Sequence, residues 1–245
     1  MAAPAPDPAR KGMSSEEVNR LIVKMAKPGV KFTLEEVRGH PAVAVGLASK
    51  VGIVVDGESG DFLAAFNAGA LVVAKASVGN YVGYGMTAGT VQVVGSAGEG
   101  AGALLQGGAV HVFGDAGGGA GWRMGGGEVV VKGDAGQFAA AGMWGGELAL
   151  LGKTGGPVGI GMSGGSVFMR KGNAVDPASA RAEPLDAAGA ERLRALAAAV
   201  KVMGVDPALF VRLRAVAPPP VPGAPPPGPR VRVTTDEGAE RGAAP

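Results

Sequence analysis

The chain has 245 residues, with 45 glycines, 18 prolines, no cysteine and a formal net charge of +2. The absence of cysteine excludes disulfides, a cysteine nucleophile, iron–sulfur ligation and thiolate zinc sites, and the near-balanced charge gives no electrostatic footprint for nucleic acid. No apolar run approaches the ~20 residues that span a bilayer, and residues 1–12 lack the apolar core of a signal peptide, so we expect a cytoplasmic protein that contacts no membrane.

The N-terminal part of the chain contains one predicted helix between two irregular segments. Residues 1–12, rich in Ala and Pro, are expected to form a disordered leader. A helix is predicted over residues 14–27, because Ser14 and Glu17 have the spacing of a capping box. Its apolar face would consist of Val18, Leu21, Ile22 and Met25. Residues 30–50 are expected to be an extended arm, which makes residues 13–50 an N-terminal helix and arm.

Residues 51–172 repeat a pattern of 19 residues, and three columns keep the same register. One column is glycine: Gly79, Gly98, Gly117, Gly136 and Gly155. A second is apolar: Met86, Leu105, Met124, Met143 and Met162. A third is branched: Val91, Val110, Val129, Leu148 and Val167. Self-similarity at such a period is typical of a stacked, quasi-one-dimensional fold.

Each repeat predicts short strands joined by tight corners. A Val-rich run is followed by a Gly-Asp-Ala-Gly turn, and a Gly-Gly pair makes a second corner. A repeat of 19 residues has no room for a helix, so we predict an all-β parallel β-helix of six to seven coils with short flanking helices. The branched and Met columns should fill the interior, whereas Gln92, His111 and Val130 should face outward.

The pattern stops after Lys171, and residues 173–216 are predicted to be a C-terminal helical segment. A helix is expected over residues 176–203, ended by Gly204. Asp206 and Pro207 should start a further turn, as N-cap and first helical residue, with Phe210 and Leu213 docking it. Residues 217–245 begin with a Pro-rich run and are expected to form a polyproline-like, disordered tail.

The sequence offers no convincing catalytic, cofactor-binding or metal-binding residue. Residues 159–164 match G-x-G-x-x-G and residues 152–154 match the end of a P-loop, but both lie at repeat positions without the helix that such motifs need. The stacked Asp115 and Asp134 are better explained as caps of corner amides than as calcium ligands. The two histidines, His40 and His111, are far apart in sequence, and no serine has a plausible histidine partner.

Four residues are candidates for a protein interface: Tyr84, Trp122, Arg123 and Trp144. Trp144 falls in the outward column that follows the Met column, where an exposed Trp often anchors an interface. An equally good interpretation is that Trp144 folds onto the surface of its own chain. Tyr84 and Trp122 share another column, two positions before the Met column, and could form one face with Ile160.

The recurring G-D-A-G…G-x-x-M-x-G-G unit resembles the GXGXG domain over residues 40–172. This domain is the right-handed β-helix at the C-terminal end of the glutamate synthase large subunit, and it also occurs in stand-alone relatives and in one subunit of formylmethanofuran dehydrogenase. The entry at residues 40–47 and the segment 204–210, which follows the helix, look like the stand-alone glutamate synthase type. The formylmethanofuran type typically ends with its coils, although the regular coils here keep it as the second choice.

The resemblance implies a structural role in an oxidoreductase complex. In the glutamate synthase family the β-helix domain carries no catalytic group and packs between the catalytic domains. We therefore expect a non-catalytic subunit of a split glutamate synthase-like complex. The complex as a whole would make glutamate or N-methylglutamate. Its partners would be a class II glutamine amidotransferase subunit and a synthase subunit that holds FMN and an iron–sulfur cluster. The alternatives are the β-helix subunit of a formylmethanofuran dehydrogenase or formyltransferase/hydrolase complex, and a free-standing solenoid scaffold.

Overall fold

The computed structural model describes residues 13–35, 37 and 39–216, so the predicted leader and the Pro-rich tail lie outside the described residues. Its elements in chain order are α1 (Ser15–Met25), β1 (Lys31–Leu34), β2 (Gly52–Val55), β3 (Ala68–Ala74), β4 (Ala88–Val93), β5 (Ala109–Val112), β6 (Glu128–Val131), β7 (Trp144–Leu150), β8 (Gly164–Arg170), β9 (Ala180–Pro184), α2 (Ala187–Ala199), a 3-10 helix (Pro207–Leu209) and β10 (Phe210–Ala215). Over these residues, neither helix has the length and apolar character required to cross a membrane.

Strands β1 to β8 stack in parallel and form the body of a parallel β-solenoid of about seven turns. The register advances by one repeat at each step: Val91 lies opposite Val110, and Val110 opposite Val129. Because the same column recurs in every coil, each side chain stacks on its counterpart in the next coil. The predicted β-helix architecture and its 19-residue coil are confirmed.

The interior of the solenoid is filled by the predicted columns. The Met column is fully buried from Met86 to Met143, and the branched residues of β4 to β6 that were predicted to point inward are fully buried as well. The glycine column has a steric cause, because a Cβ atom on Gly117 would lie 2.8 Å from the carbonyl carbon of Gly98 in the preceding coil. Adjacent coils therefore approach too closely there for any side chain.

The first corner of each coil is capped by a ladder of side-chain oxygens. The Asp115 Oδ1 atom accepts a hydrogen bond from the Asp134 backbone N–H at 2.8 Å, and the Asp134 Oδ1 atom accepts one from Lys153 N–H at 2.7 Å. Ser77 and Ser96 do the same in the two preceding coils of this ladder. Asp61 and Asn80 form a second ladder three residues further along the coil. The predicted capping role of Asp115 and Asp134 is confirmed, and the P-loop-like residues 152–154 occupy this corner.

A turn precedes the Met column in each coil, at residues 81–85 for example, where the sequence suggested a short strand. We use the term second corner for this turn from here on. Outside β1 to β8, parallel pairing between coils is reduced to single bridges such as Ala97 to Ala116 and Ala116 to Ala135. In the residues that follow each bridge, every second residue has the left-handed backbone conformation with positive φ. Most coils have three such residues. Tyr81, Gly83 and Gly85 illustrate this alternation, with φ values of +60°, +65° and +62°.

Both ends of the solenoid depart from the predicted boundaries. The expected arm at residues 30–50 contains β1, which pairs in parallel with β2 and adds a coil. The helix expected over residues 176–203 is wrong for its first part, which contains β9. Strand β9 pairs with β10, and this pairing overrides the helix propensity of the Ala-rich segment. Strand β10 pairs antiparallel with both β8 and β9, so β9 is the edge strand at this end of the sheet.

Helix α2 covers the outer face of the sheet near its C-terminal end. Val130, Ala149 and Phe168 point away from the solenoid interior and are buried against apolar residues of α2: Leu193, Leu196 and Ala197. His111 lies beside them and is only 6% exposed. The prediction that His111 and Val130 face outward is therefore confirmed, and α2 is what buries these outward side chains.

Candidate functional site

The second corners of successive coils together form one aromatic surface, which we call the aromatic corner face. The chain has 7 Phe, 2 Trp and 2 Tyr, and six of these eleven residues lie on this face: Phe62, Phe66, Tyr81, Tyr84, Trp122 and Phe138. Phe66 and Phe138 are 55% and 54% exposed. A concentration of exposed rings on one side of a chain makes that surface a candidate interaction site.

Four of these rings pack against each other at the N-terminal end of the face. Phe62 stacks on Tyr81 with ring centroids 5.1 Å apart, and Tyr84 meets Phe62 edge-on at 5.8 Å. Tyr84 also meets Phe66 and Tyr81 edge-on, at 5.6 and 6.0 Å. Offset and edge-to-face pairs at these separations are favourable beyond the area they bury. The rings therefore hold each other in fixed positions while one side stays open.

The backbone beneath the rings is held in an unusual conformation. Phe62, Tyr81 and Phe138 have φ values of +59°, +60° and +62°. A left-handed conformation costs an L-residue with a side chain roughly 1–2 kcal/mol, and for a bulky residue it is a true outlier. Ala or Gly occupies most other positions of this type, so large aromatic residues are not required by the turn. Their presence suggests selection for the exposed ring rather than for the fold.

A gap interrupts the aromatic column between Tyr81 and Phe138, because Gly100 and Gly119 occupy the two coils between them. This gap, which we call the glycine notch, has a volume of about 300 Å³ and is walled by Tyr81, Trp122 and Phe138, with Glu99 at one side. The Tyr81 ring leans over Gly100, where an added Cβ atom would lie 2.5 Å from the ring. The notch is thus an apolar slot between aromatic walls with a backbone floor.

The structure places three of the four predicted interface residues on this face. Tyr84 belongs to the aromatic cluster, and Trp122 lines the notch, with the guanidinium of Arg123 lying 5.6 Å from the centroid of its ring. Such a cation–π contact orients the indole. Tyr84 and Trp122 do not touch, because they are two coils apart.

Trp144 lies outside this face, in the outward column of the repeat. It is 54% exposed, and its ring lies against the backbone of Gly125 in the preceding coil. One ring surface is therefore covered by the chain itself, whereas the other is open. This arrangement leaves both interpretations of Trp144 standing, since a half-covered indole can also be a docking residue.

Sequence reasoning missed Phe62, Phe66, Tyr81 and Phe138. The signal that could have found three of them is the repeat itself, because Tyr81 follows Phe62 by one period and Phe138 follows Tyr81 by three. The irregular first coils hid this column. Phe66 carries no such periodic signal, since Gly85 and Leu104 follow it at the next two positions.

A second cluster of polar residues, which we call the helix clamp, fastens α2 to the sheet. The His111 Nε2 atom lies 2.7 Å from Glu128 Oε1, and Arg192 of α2 donates to Glu128 Oε2 at 2.8 Å and to Glu147 Oε2 at 2.6 Å. The hydrogen bond from His111, and then that from Arg192, lowers the pKa of Glu128 below its usual range. The helix clamp thus gives both partly buried carboxylates, Glu128 and Glu147, a hydrogen-bonded basic partner.

The described part of the chain was compared with the requirements of a metal site and with known proteins. Within residues 13–35, 37 and 39–216, no three His, Asp or Glu side chains are grouped as metal ligands would be. The chain matches no family model, and a comparison with curated proteins finds no similar sequence. The aromatic corner face is therefore the best-supported candidate site.

Proposed function

We propose that this protein is a non-catalytic β-solenoid subunit of a split glutamate synthase-like complex. The likeness of its repeat to the GXGXG domain supports this proposal, together with the parallel β-solenoid of about seven turns. The observation that carries it is the aromatic corner face, because a structural subunit needs a rigid surface on which partners dock. The partners would be a class II glutamine amidotransferase subunit and a flavin/iron–sulfur synthase subunit.

The physical character of the face suits docking rather than catalysis. Tyr and Trp bring large contact areas with few rotatable bonds, and such residues dominate the binding energy of protein interfaces. Tyr81 and Phe138 project from corners that are bonded to the coils on either side. A partner would therefore bind a surface that is already ordered, which reduces the entropy lost on association.

The division of chemistry within the complex follows from what each subunit supplies. The amidotransferase would release ammonia from glutamine, and the synthase would carry the FMN and the iron–sulfur cluster. This chain has no cysteine with which to bind such a cluster. Its contribution would be to fix the distance and orientation of the two catalytic subunits.

The formylmethanofuran dehydrogenase type remains the alternative, and the C-terminal segment favours the first proposal over it. That segment is integral to the structure: β10 pairs with β8, and α2 buries Phe168 and Ala149 of the sheet. A family member that ended with its coils would leave this apolar face open. A free-standing scaffold is the third candidate, and the same experiment separates all three.

The test is purification of the tagged full chain from the cells that produce it. We expect stoichiometric co-purification of two subunits, with flavin absorbance and glutaminase activity in the complex. Trp122→Ala should reduce the recovered subunits strongly, because Trp122 lines the notch. Met203→Ala is the matched control, since Met203 is 81% exposed but lies outside the aromatic corner face.

Three results would contradict the proposal. Recovery of metallohydrolase and formyltransferase subunits would favour the alternative complex. Recovery of the chain without any subunit would favour the free-standing scaffold. Flavin bound stoichiometrically to the isolated chain would show that the protein is not merely structural.

A further inference from the structure

The glycine notch has aromatic residues on three sides and a carboxylate beside them. Tyr81 borders it towards the preceding coils and Phe138 towards the following coil, and Trp122 lies on the same second corner as Gly119. Of the described residues that line the notch, only Glu99 carries a charge. Aromatic rings around a small space form the kind of site in which proteins recognise quaternary ammonium groups.

The Tyr81 ring turns one of its faces towards the notch. Phe62, one repeat earlier, stacks on the ring with centroids 5.1 Å apart and planes inclined by 18°. On the side of the following coil, an added Cβ atom on Gly100 would lie 2.5 Å from the ring. The face that is not covered by Phe62 therefore looks along the stack into the notch. Because the face of an aromatic ring is the negative part of its quadrupole, this surface attracts a cation.

The width of the notch suits a compact cation. The Tyr81 ring covers Gly100, so the open floor lies at Gly119, which is one repeat from Gly100 and one repeat from Phe138. One coil step is ~4.8 Å, and a cation is attracted to a ring within about 6 Å of the centroid. A group above Gly119 is therefore close to aromatic walls on both sides. The volume of about 300 Å³ is at the lower end for ligand sites and fits a head group.

Trp122 already makes one cation–π contact within its own chain. The Arg123 guanidinium lies 5.6 Å from the centroid of the Trp122 ring. Trp122 lines the notch and Arg123 does not, so the guanidinium lies outside it. A cation in the notch and this guanidinium would repel each other. The carboxylate of Glu99 offsets that repulsion, because it is the negative group beside the same space.

We propose that the glycine notch binds a quaternary ammonium group, held by cation–π contacts with Tyr81, Trp122 and Phe138 and by charge attraction to Glu99. The methyl groups of the ligand would fill the apolar space between the rings, and its remaining atoms would extend into solvent. A primary ammonium fits less well, because it is strongly hydrated and would lose that water to mostly apolar walls. The inference depends on the notch alone and not on the proposed function.

The fluorescence of Trp122 reports binding directly in the full-length chain. The chain has 2 Trp residues, so Trp144→Phe leaves Trp122 as the single reporter. Choline is titrated beside the neutral alcohol of the same shape in which carbon replaces nitrogen. We expect a saturable change, with a Kd for choline about tenfold lower than that for the alcohol. Glu99→Gln should raise the Kd for choline about threefold, and Glu191→Gln, the matched control on α2, should leave it unchanged.

Gly119→Phe tests the location of the site, because it fills the notch without requiring a new backbone conformation. Residue 119 belongs to the same repeat column as Phe62, Tyr81 and Phe138. Gly119 has a φ of +73°, and these three aromatic residues also have positive φ values. The variant should therefore keep the fold, which circular dichroism checks, and lose saturable binding of choline.

Three results would overturn the proposal. Equal affinity for choline and the neutral alcohol would make the notch a simple apolar slot. Undiminished binding of choline by Gly119→Phe would place the cation elsewhere. No saturable response up to about 10 mM choline would exclude the site. A trimethyllysine peptide, titrated in parallel, separates two sources that both support it: tighter binding of choline identifies a free small molecule, and tighter binding of the peptide identifies a methylated side chain.

Discussion

Two outer surfaces of the solenoid carry apolar side chains, the sheet face near α2 and the aromatic corner face, and they differ in whether the chain itself buries them. On the sheet face, Phe168 and Val130 point outward but are buried beneath α2, and the helix clamp fixes that helix. On the aromatic corner face, Phe66 and Phe138 point outward and remain more than half exposed. An outward apolar residue in a solenoid is therefore not informative by itself. What covers it within the chain decides whether it serves the fold or is available for binding.

Replacing one phenylalanine on each surface should give the largest contrast in stability. Phe168→Ala should lower the free energy of unfolding by about 3–5 kcal/mol, because it removes a buried ring from beneath α2. Phe138→Ala should change it by less than about 0.5 kcal/mol, because the Phe138 ring is already exposed. Chemical denaturation of both variants measures the difference. Equal losses would show that the aromatic corner face is part of the packing of the fold.

Breaking the helix clamp should have a smaller effect. Arg192→Ala removes the cation between Glu128 and Glu147 and leaves two neighbouring carboxylates partly buried. We expect a loss of about 2 kcal/mol, measured by denaturation, with α2 the first region to exchange its amide hydrogens. Arg194→Ala is the matched control, because Arg194 is exposed on the same helix. Loss of equal size in both variants would mean that the clamp does not hold α2.

The clamp also predicts a dependence on acid. Because the pKa of Glu128 is lowered in the folded state, its contribution is present above the unfolded pKa of about 4.3 and is lost as the pH falls through the lowered value. The stability difference between the natural chain and Glu128→Gln should thus shrink as the pH falls below about 4.3. His111 and Arg192 face Glu128 and are retained in both proteins. A difference that grows below that pH would contradict this assignment.

Trp144→Ala should lower stability less than either Phe168→Ala or Arg192→Ala. One side of the ring lies on Gly125 and the other is open, so we expect a loss of no more than about 1 kcal/mol, measured as a shift in melting temperature. Reduced recovery of partners with little change in melting temperature would identify Trp144 as an interface residue. A large drop in melting temperature would instead assign the ring to the packing of its own coil.

The interior of the solenoid could be predicted because its signal is one-dimensional. Residues such as Met124 and Val129 recur at a fixed step, and every coil must fill the same space. The burial of His111 and Val130 could not be predicted, because it depends on where α2 packs against the sheet. That position is set by the path of the chain through β9. That strand was itself hidden, since Ala-rich residues 180–184 have no strand pattern and pair only because β10 lies alongside.

The candidate site was only partly predictable for a related reason. Trp122 and Tyr84 are recognisable in the sequence because they share one column of the repeat, two positions before the Met column. The left-handed conformation of Tyr81 and Phe138 is not expected from their residue type, because bulky residues rarely adopt it. Only the glycines at the same repeat position, Gly100 and Gly119, indicate it. The glycine notch forms because the rings of Tyr81 and Phe138 project on either side of Gly100 and Gly119. The sequence does not reveal it, because these two glycines look like ordinary corner glycines.

Hydroxyl-radical footprinting of the free chain and of the assembled complex tests most directly that the aromatic corner face is the docking surface. We predict reduced oxidation of Tyr81, Trp122 and Phe138 in the complex, with Met203 oxidised equally in both states. Unchanged oxidation of those three rings, with protection appearing on the exposed side of α2 instead, would contradict the account.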